Sequence, residues 1–163
     1  MSRKLLENTF GFDSSCFVCD PKNEGGMRQR FYYDDEIQRV VAEFEPTAVL
    51  SGAPNYAHGG ASMAVLDDAM AWAIIAEMER FGVTRRVETD FVRPVMLDKA
   101  YAVEAWVESH ENRNVEVRAE IRDSKGRVCV EAKGLYTVLT LEEAEAAIGV
   151  GVRESSSYTR QSV

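Results

Sequence analysis

Positive charge is in deficit. Lys and Arg number 19 against 27 Asp and Glu, leaving a formal net charge of −8 over 163 residues. Binding a phosphate backbone needs a basic face, so nucleic acid is excluded as the main partner, although a small local basic pocket is not. Cysteine is scarce and odd in number: Cys16, Cys19 and Cys129. Residues 1–12 hold no apolar run of the length a secretory signal needs, and the two observations together point to a reducing cytoplasm. With only two histidines, His58 and His110, metal-ligand sets are few. Cys16-x-x-Cys19 is half of a zinc site, but no second pair completes it, and His58, His110 and Cys129 sit at spacings that match no standard metal motif. The plainer reading is two small, partly buried thiols in an ordered N-terminal segment.

Other absences narrow the chemistry. There is no Gly-x-Ser-x-Gly elbow, no Walker loop and no His-Glu-x-x-His. Ser62 follows Gly-Gly-Ala but has no evident His–Asp partners. An apolar run free of charge is missing too. The longest apolar stretch, residues 61–76, carries Asp67 and Asp68 near its middle. Each carboxylate would cost roughly 2.5–3.5 kcal/mol at a bilayer centre, which argues against a membrane span.

What is present is an ordinary globular composition, with 45% hydrophobic residues, enough for one domain with its own core. Residues 1–26 read as an irregular arm, broken by Pro21 and Gly25-Gly26. Residues 27–140 form the main domain, and 141–163 a short helix followed by a flexible tail. Two strands, 27–33 and 37–45, are joined by a turn at Asp34-Asp35-Glu36 and stopped by Pro46; 47–57 is a loop. A helix runs from about His58 to Phe81 and stops near Gly82. Four strands follow, at 84–93, 100–108, 113–122 and 127–139. In the third of these, Val115, Val117, Ala119 and Ile121 alternate with Glu116, Arg118, Glu120 and Arg122. The predicted class is α+β, an antiparallel sheet covered by one helix. The helix is apolar on both of its stripes, so one sheet is too little cover, and a second subunit is expected to supply the rest.

The chemistry concentrates at His58-Gly59-Gly60 and Asp67. Glycines let backbone N–H groups approach a ligand, and a helix N-terminus favours negative charge. A carboxylate about two turns further along completes a plausible set for hydrolysing an acyl compound. The alternative for Asp67 is an ion pair with Arg85, Arg86 or Arg93; for Asp68 it is a surface or interface charge. Trp72, Met63, Met70 and Met78 suit core packing better than an acyl tunnel.

The order of elements and these residues resemble the hotdog-fold thioesterases, nearest the phenylacetate-pathway type (PaaI-like) acyl-CoA thioesterases. The resemblance covers roughly residues 16–139. It rests on His-Gly-Gly with an acid nine residues after the His, on Phe91-Val92-Arg93-Pro94-Val95, and more loosely on Cys16-Phe17-Val18-Cys19 followed by Asn23 and Gly26-Met27. It implies a six-stranded antiparallel sheet wrapped around one long central helix. It implies homodimers, often paired into homotetramers, with active sites at the subunit interface. It makes Asp67 the catalytic base or nucleophile and the Gly59 N–H the oxyanion donor, with His58 and Gly60 shaping that turn. It implies a water-orienting hydroxyl from the next subunit, at Thr84. The Asn that other members carry six residues before the His is here Gly52. Arg93 and Arg113 are candidates for the coenzyme A phosphates. The implied substrate is an acyl-CoA, no metal or organic cofactor is required, and neither nucleic acid nor membrane is a partner. Two rival functions stand beside hydrolysis: a non-catalytic acyl-CoA binding module, and a hydratase acting on enoyl or hydroxyacyl thioesters.

Overall fold

Alternation of apolar and polar side chains builds the sheet, and a helix without a polar face fills it. The computed structural model describes residues 2–152. In chain order these form β1 (Arg3–Leu6), β2 (Phe31–Asp34), β3 (Arg39–Phe44), a 3-10 turn at Ala48–Leu50, β4 (Ser51–Ala53), β5 (Tyr56–Ala57), α1 (Gly59–Met78), β6 (Gly82–Phe91), β7 (Tyr101–Glu111), β8 (Asn114–Arg122), β9 (Val128–Val138) and α2 (Leu141–Ile148). Seven strands make one antiparallel sheet in the order β1-β2-β3-β7-β8-β9-β6, and β4 pairs with β5 in a separate ribbon. This is the hotdog architecture, with seven strands where six were expected.

The sheet curls around α1, which lies against β2, β3 and β6 to β9. On the sheet side Val103, Ala105, Val115, Val117, Ala119, Ile121, Val130 and Tyr136 are buried; on the helix side Val65, Leu66, Ala69, Met70, Ala73 and Ile74 meet them. Each large apolar side chain removed from water here contributes about 1.5–3 kcal/mol. Met70 is wholly in this core and Trp72 is nearly so, while Met63 is exposed. By length and composition α1 would cross a bilayer, but it is the core helix of this sheet.

Three expectations are corrected. Residues 3–6, read as irregular arm, form the edge strand β1, which pairs antiparallel with β2. Its anchor is the Arg3 Nε–Asp34 Oδ2 ion pair, 3.0 Å long, an interaction between residues too far apart to show as a local pattern. The segment 47–57, read as loop, contains the β4–β5 ribbon, which turns through Asn55 at φ 79°. And α1 stops before Gly82: Glu79 takes the left-handed cap conformation at φ 55°. Gly82 is instead the first residue of β6, where a Cβ would lie 2.9 Å from Ile74 Cδ1. The helix's remaining cover also differs. The chain's own arm supplies part of it, since Phe10 stacks on Trp72 at 6.0 Å between ring centroids and Val18 is buried. Residues 153–163 of the expected flexible tail lie outside the described residues.

Candidate active site

The helix start is pinned from three directions. The Ala57 N–H donates to Val95 O (2.8 Å) and the His58 N–H to Leu50 O (2.7 Å). His58 is the N-cap, with its Nδ1 accepting from the Gly60 N–H at 2.8 Å. In the neutral imidazole this leaves the proton on Nε2. Gly52 explains itself here: a Cβ on it would lie 2.7 Å from His58 Cα, so a bulkier residue would push the cap away. The Ala61 and Ser62 amides fold back onto His58 O. The Gly59 N–H, at the first helical position, donates to no group among the described residues. The ring of Phe91, from the far end of β6, lies beside it, 3.1 Å from where a Gly59 Cβ would be.

Asp67 lies about two turns down the helix, half-buried. Its Oδ1 accepts from Tyr136 OH (2.7 Å) and from Thr84 Oγ1 (2.9 Å). Tyr136 OH also lies 3.1 Å from the Asp67 carbonyl oxygen. The two hydroxyls come together because Thr84 on β6 and Tyr136 on β9 are cross-strand partners. The register slips immediately after, between Thr84 and Arg86, a bulge that turns the strand beside the site. Room for the Tyr136 ring comes from Gly134, where a Cβ would sit 2.5 Å from Tyr136 Cε2 and 3.0 Å from Met70 Sδ. Burial, then the nearby Asp67 charge, pushes the Tyr136 hydroxyl above its ordinary range. It is therefore a fixed donor. Both donors act on Oδ1, and Asp67 Oδ2 has no hydrogen-bond partner among the described residues.

The ion-pair alternative for Asp67 is not what forms: its partners are hydroxyls, and Arg86 faces Glu88 at 3.5 Å. The expectation that Thr84 acts from the next subunit is corrected, because it reaches Asp67 of its own chain. Tyr136 falls in the segment 127–139, read simply as a strand; the signal that would have found it is a buried tyrosine whose hydroxyl needs a partner. Arg113 is already engaged, its Nε donating to Val138 O at 3.0 Å and its guanidinium pairing with Glu143. It ties the β7–β8 turn to α2. Arg93 donates Nη1 to Val128 O (2.6 Å) and lines a cavity of about 430 Å³ with Lys99, Lys125 and Arg127. That cavity lies just past Phe91, near the helix start.

Asp68 is not a surface charge. It faces the N-terminal arm, beside Cys16 and Cys19, in a cavity of about 570 Å³ lined also by Phe10, Trp72 and Ile75. Burial, then Cys16, pushes its carboxyl up to about 7.

Comparison with known proteins points to the same fold. The model of the thioesterase superfamily matches residues 54–130, from the β4–β5 turn to β9. Over that segment, just under half of the chain, the sequence is similar to the thioesterase superfamily. An uncharacterized protein of Schizosaccharomyces pombe is 28% identical over 133 residues, 77% of this chain and 76% of its own. A solved thioesterase superfamily protein is 26% identical with a TM-score of 0.69; the match covers 74% of this chain and 58% of that one. A hypothetical thioesterase from Streptococcus pneumoniae, solved with coenzyme A, shares the fold at 18% identity and a TM-score of 0.58, over 61% of this chain and 80% of its own.

Proposed function

We propose that this chain is a thioesterase-superfamily enzyme, an acyl-CoA thioesterase of the PaaI-like kind working in the cytoplasm, whose active site is completed by a second copy of the chain. The observation that carries the proposal is the Asp67 carboxylate, held on one oxygen by Thr84 and Tyr136 with the other oxygen open. A carboxylate so oriented is equipped to take a proton from water. The water oxygen bonds to the thioester carbon, the carbonyl becomes an oxyanion, and collapse breaks the C–S bond to release the thiolate and the free acid. An amide at a helix N-terminus suits the oxyanion, and the unpartnered Gly59 N–H is such a donor. A streptococcal fold neighbour solved with coenzyme A supports a CoA thioester as substrate. The basic cavity around Arg93, Lys99 and Lys125 suits its phosphates.

Within one chain the two groups are too far apart. Eight helical residues separate Gly59 from Asp67, about 12 Å along the axis and about 80° around it. Donor to oxygen, water to carbon and water to base are contacts of roughly 3 Å each, bent around a single carbon. The sheet suggests how a pair solves this. Among the described residues, β6 ends the sheet with one edge unpaired. Its Thr84 end adjoins Asp67 and its Phe91 end adjoins Gly59. Antiparallel pairing of β6 with a second β6 about a two-fold axis sets the Thr84 end of one copy opposite the Phe91 end of the other. Asp67 of each chain then faces Gly59 of its partner, giving two composite sites per dimer.

The test is thiol release from a panel of acyl-CoAs. Asp67→Asn keeps the fold and loses the base, so kcat/KM falls ~10²–10⁴-fold. Hydrolysis by Asp67→Asn at the wild-type rate would falsify the assignment.

A further inference from the structure

Beyond catalysis, the N-terminal arm carries a second constellation. We infer that Cys16, Cys19 and Asp68 form a binding site for one soft divalent cation of the zinc class, with its fourth position open to the cavity between the arm and α1. The inference does not rest on the thioesterase reading.

The donor set is assembled across the fold. Cys16 and Cys19 come from the arm and Asp68 from the central helix. One ligand atom from each lies within 4.8 Å of the others, and Cys16 Sγ is 3.6 Å from Asp68 Oδ1. A tetrahedral zinc with Zn–S near 2.3 Å and Zn–O near 2.1 Å holds its ligand atoms ~3.5–3.8 Å apart. One of the three separations therefore already matches, and the other two lie within 4.8 Å. The missing ligand of the Cys-x-x-Cys half-site is thus a carboxylate fifty-two residues from Cys16.

The turn that presents the thiols is built, not loose. The Asp20 N–H donates to Cys16 O (3.2 Å), the Met27 N–H to Phe17 O (2.7 Å) and the Gln29 N–H to Val18 O (2.7 Å). A Cβ on Gly26 would fall 2.6 Å from Phe17 O, so the returning chain packs directly on this turn. The Cys19 N–H points at Cys16 Sγ, 3.4 Å away. Amides directed at a sulfur stabilise a thiolate, the form that binds metal. The second observation is Asp68 Oδ2, which is buried and has no hydrogen-bond partner among the described residues, while Oδ1 faces the Cys16 thiol. A buried carboxylate oxygen left unpaired is costly unless something cationic meets it. All three cysteines are free thiols, and two thiolates with a carboxylate favour zinc over magnesium or calcium. Neither His58, His110 nor Cys129 belongs to the cluster.

Bound there, the cation would pin the arm to α1 next to the residue that carries the candidate base. The test uses the full chain, fully reduced and stripped by chelator, titrated with Co²⁺. The expected result is a saturable thiolate-to-cobalt charge-transfer band at one equivalent, displaced by Zn²⁺. Zn²⁺ should also raise the melting temperature of the wild type. Cys16→Ser and Cys19→Ser remove the band, Asp68→Asn weakens cobalt binding at least ~10-fold, and Cys129→Ser and Asp67→Asn leave it intact. No charge-transfer band in the reduced wild type overturns the inference, as does a band that survives the Cys16→Ser/Cys19→Ser double variant. The wild-type spectrum and melting shift decide the matter even where a variant folds poorly.

Discussion

A site shared between two chains can be repaired by mixing two broken ones. The first broken chain is Asp67→Asn. The second is Gly59→Pro, which the local backbone accepts. Proline is favoured at the first helical position, and the residue before it must be extended, as His58 is at φ −60° and ψ 135°. The substitution deletes an N–H that has no partner among the described residues and leaves the helical hydrogen bonds in place; a Cβ there meets the ring of Phe91, which must shift. Losing an oxyanion donor costs ~10²–10³ in rate, and losing the base ~10²–10⁴. Each variant alone should therefore retain about 1% of wild-type activity or less. Refolded together at equal amounts, random pairing makes half the dimers mixed. Each mixed dimer holds one doubly defective and one intact site, so activity returns to about a quarter of wild type by two-fold symmetry. Two different affinity tags on the parents allow the mixed dimer to be purified, and its kcat per dimer should be half the wild-type value. A purified mixed dimer as inactive as its parents refutes the composite site. Full activity of Gly59→Pro alone refutes the oxyanion assignment.

Gly134→Ala puts a methyl group 2.5 Å from the Tyr136 ring, so it should lower stability by about 1–3 kcal/mol and reduce kcat as the hydroxyl leaves Asp67; thermal melts and turnover on the same sample check both. Lys99→Ala and Lys125→Ala should each raise KM for acyl-CoA by up to about fivefold, the scale of one exposed ion pair, with kcat unchanged. An acyl-pantetheine substrate, which lacks the nucleotide phosphates, should not sense either change. The β1 anchor depends on acid: Arg3 holds the Asp34 carboxyl below its ordinary value. A depressed carboxylate contributes stability that is present above its unfolded pKa and lost as pH falls through the folded one. Hydrogen exchange over residues 3–6 should therefore accelerate below about pH 4, and at neutral pH in Asp34→Asn; exchange independent of both would remove the anchor role.

Local pattern and tertiary chemistry separate clearly in this chain. The clean alternation of β8 and the turn at Asp123-Ser124-Lys125-Gly126 are short-range signals, and they placed the β8–β9 hairpin within a residue or two. Helix α2 runs Leu141–Ile148 as read, opened by a capping box between Thr140 and Glu143. The site was half legible. Asp67 stood out because an acid in an apolar helix needs a reason, and Gly59 because the His-Gly-Gly run opens that helix. Tyr136 was hidden because its ring fits the apolar alternation of β9 and only its hydroxyl acts elsewhere. The subunit of Thr84 was misjudged because strand register is a long-range property. Asp68 was read as peripheral for the same reason, since the thiols it faces lie in a segment without periodicity.

The two rims of the sheet are unequal. At one rim β1 is four residues long and carries Arg3 and Lys4; at the other, β6 offers ten residues of unpaired backbone. A short charged rim resists further strand addition, whereas a long open one invites it. In the proposed pairing, growth by strand addition stops once two β6 rims have met, and the outward faces of the finished pair are both blunt. A chain with two open rims would polymerise; the proposed arrangement closes at a pair.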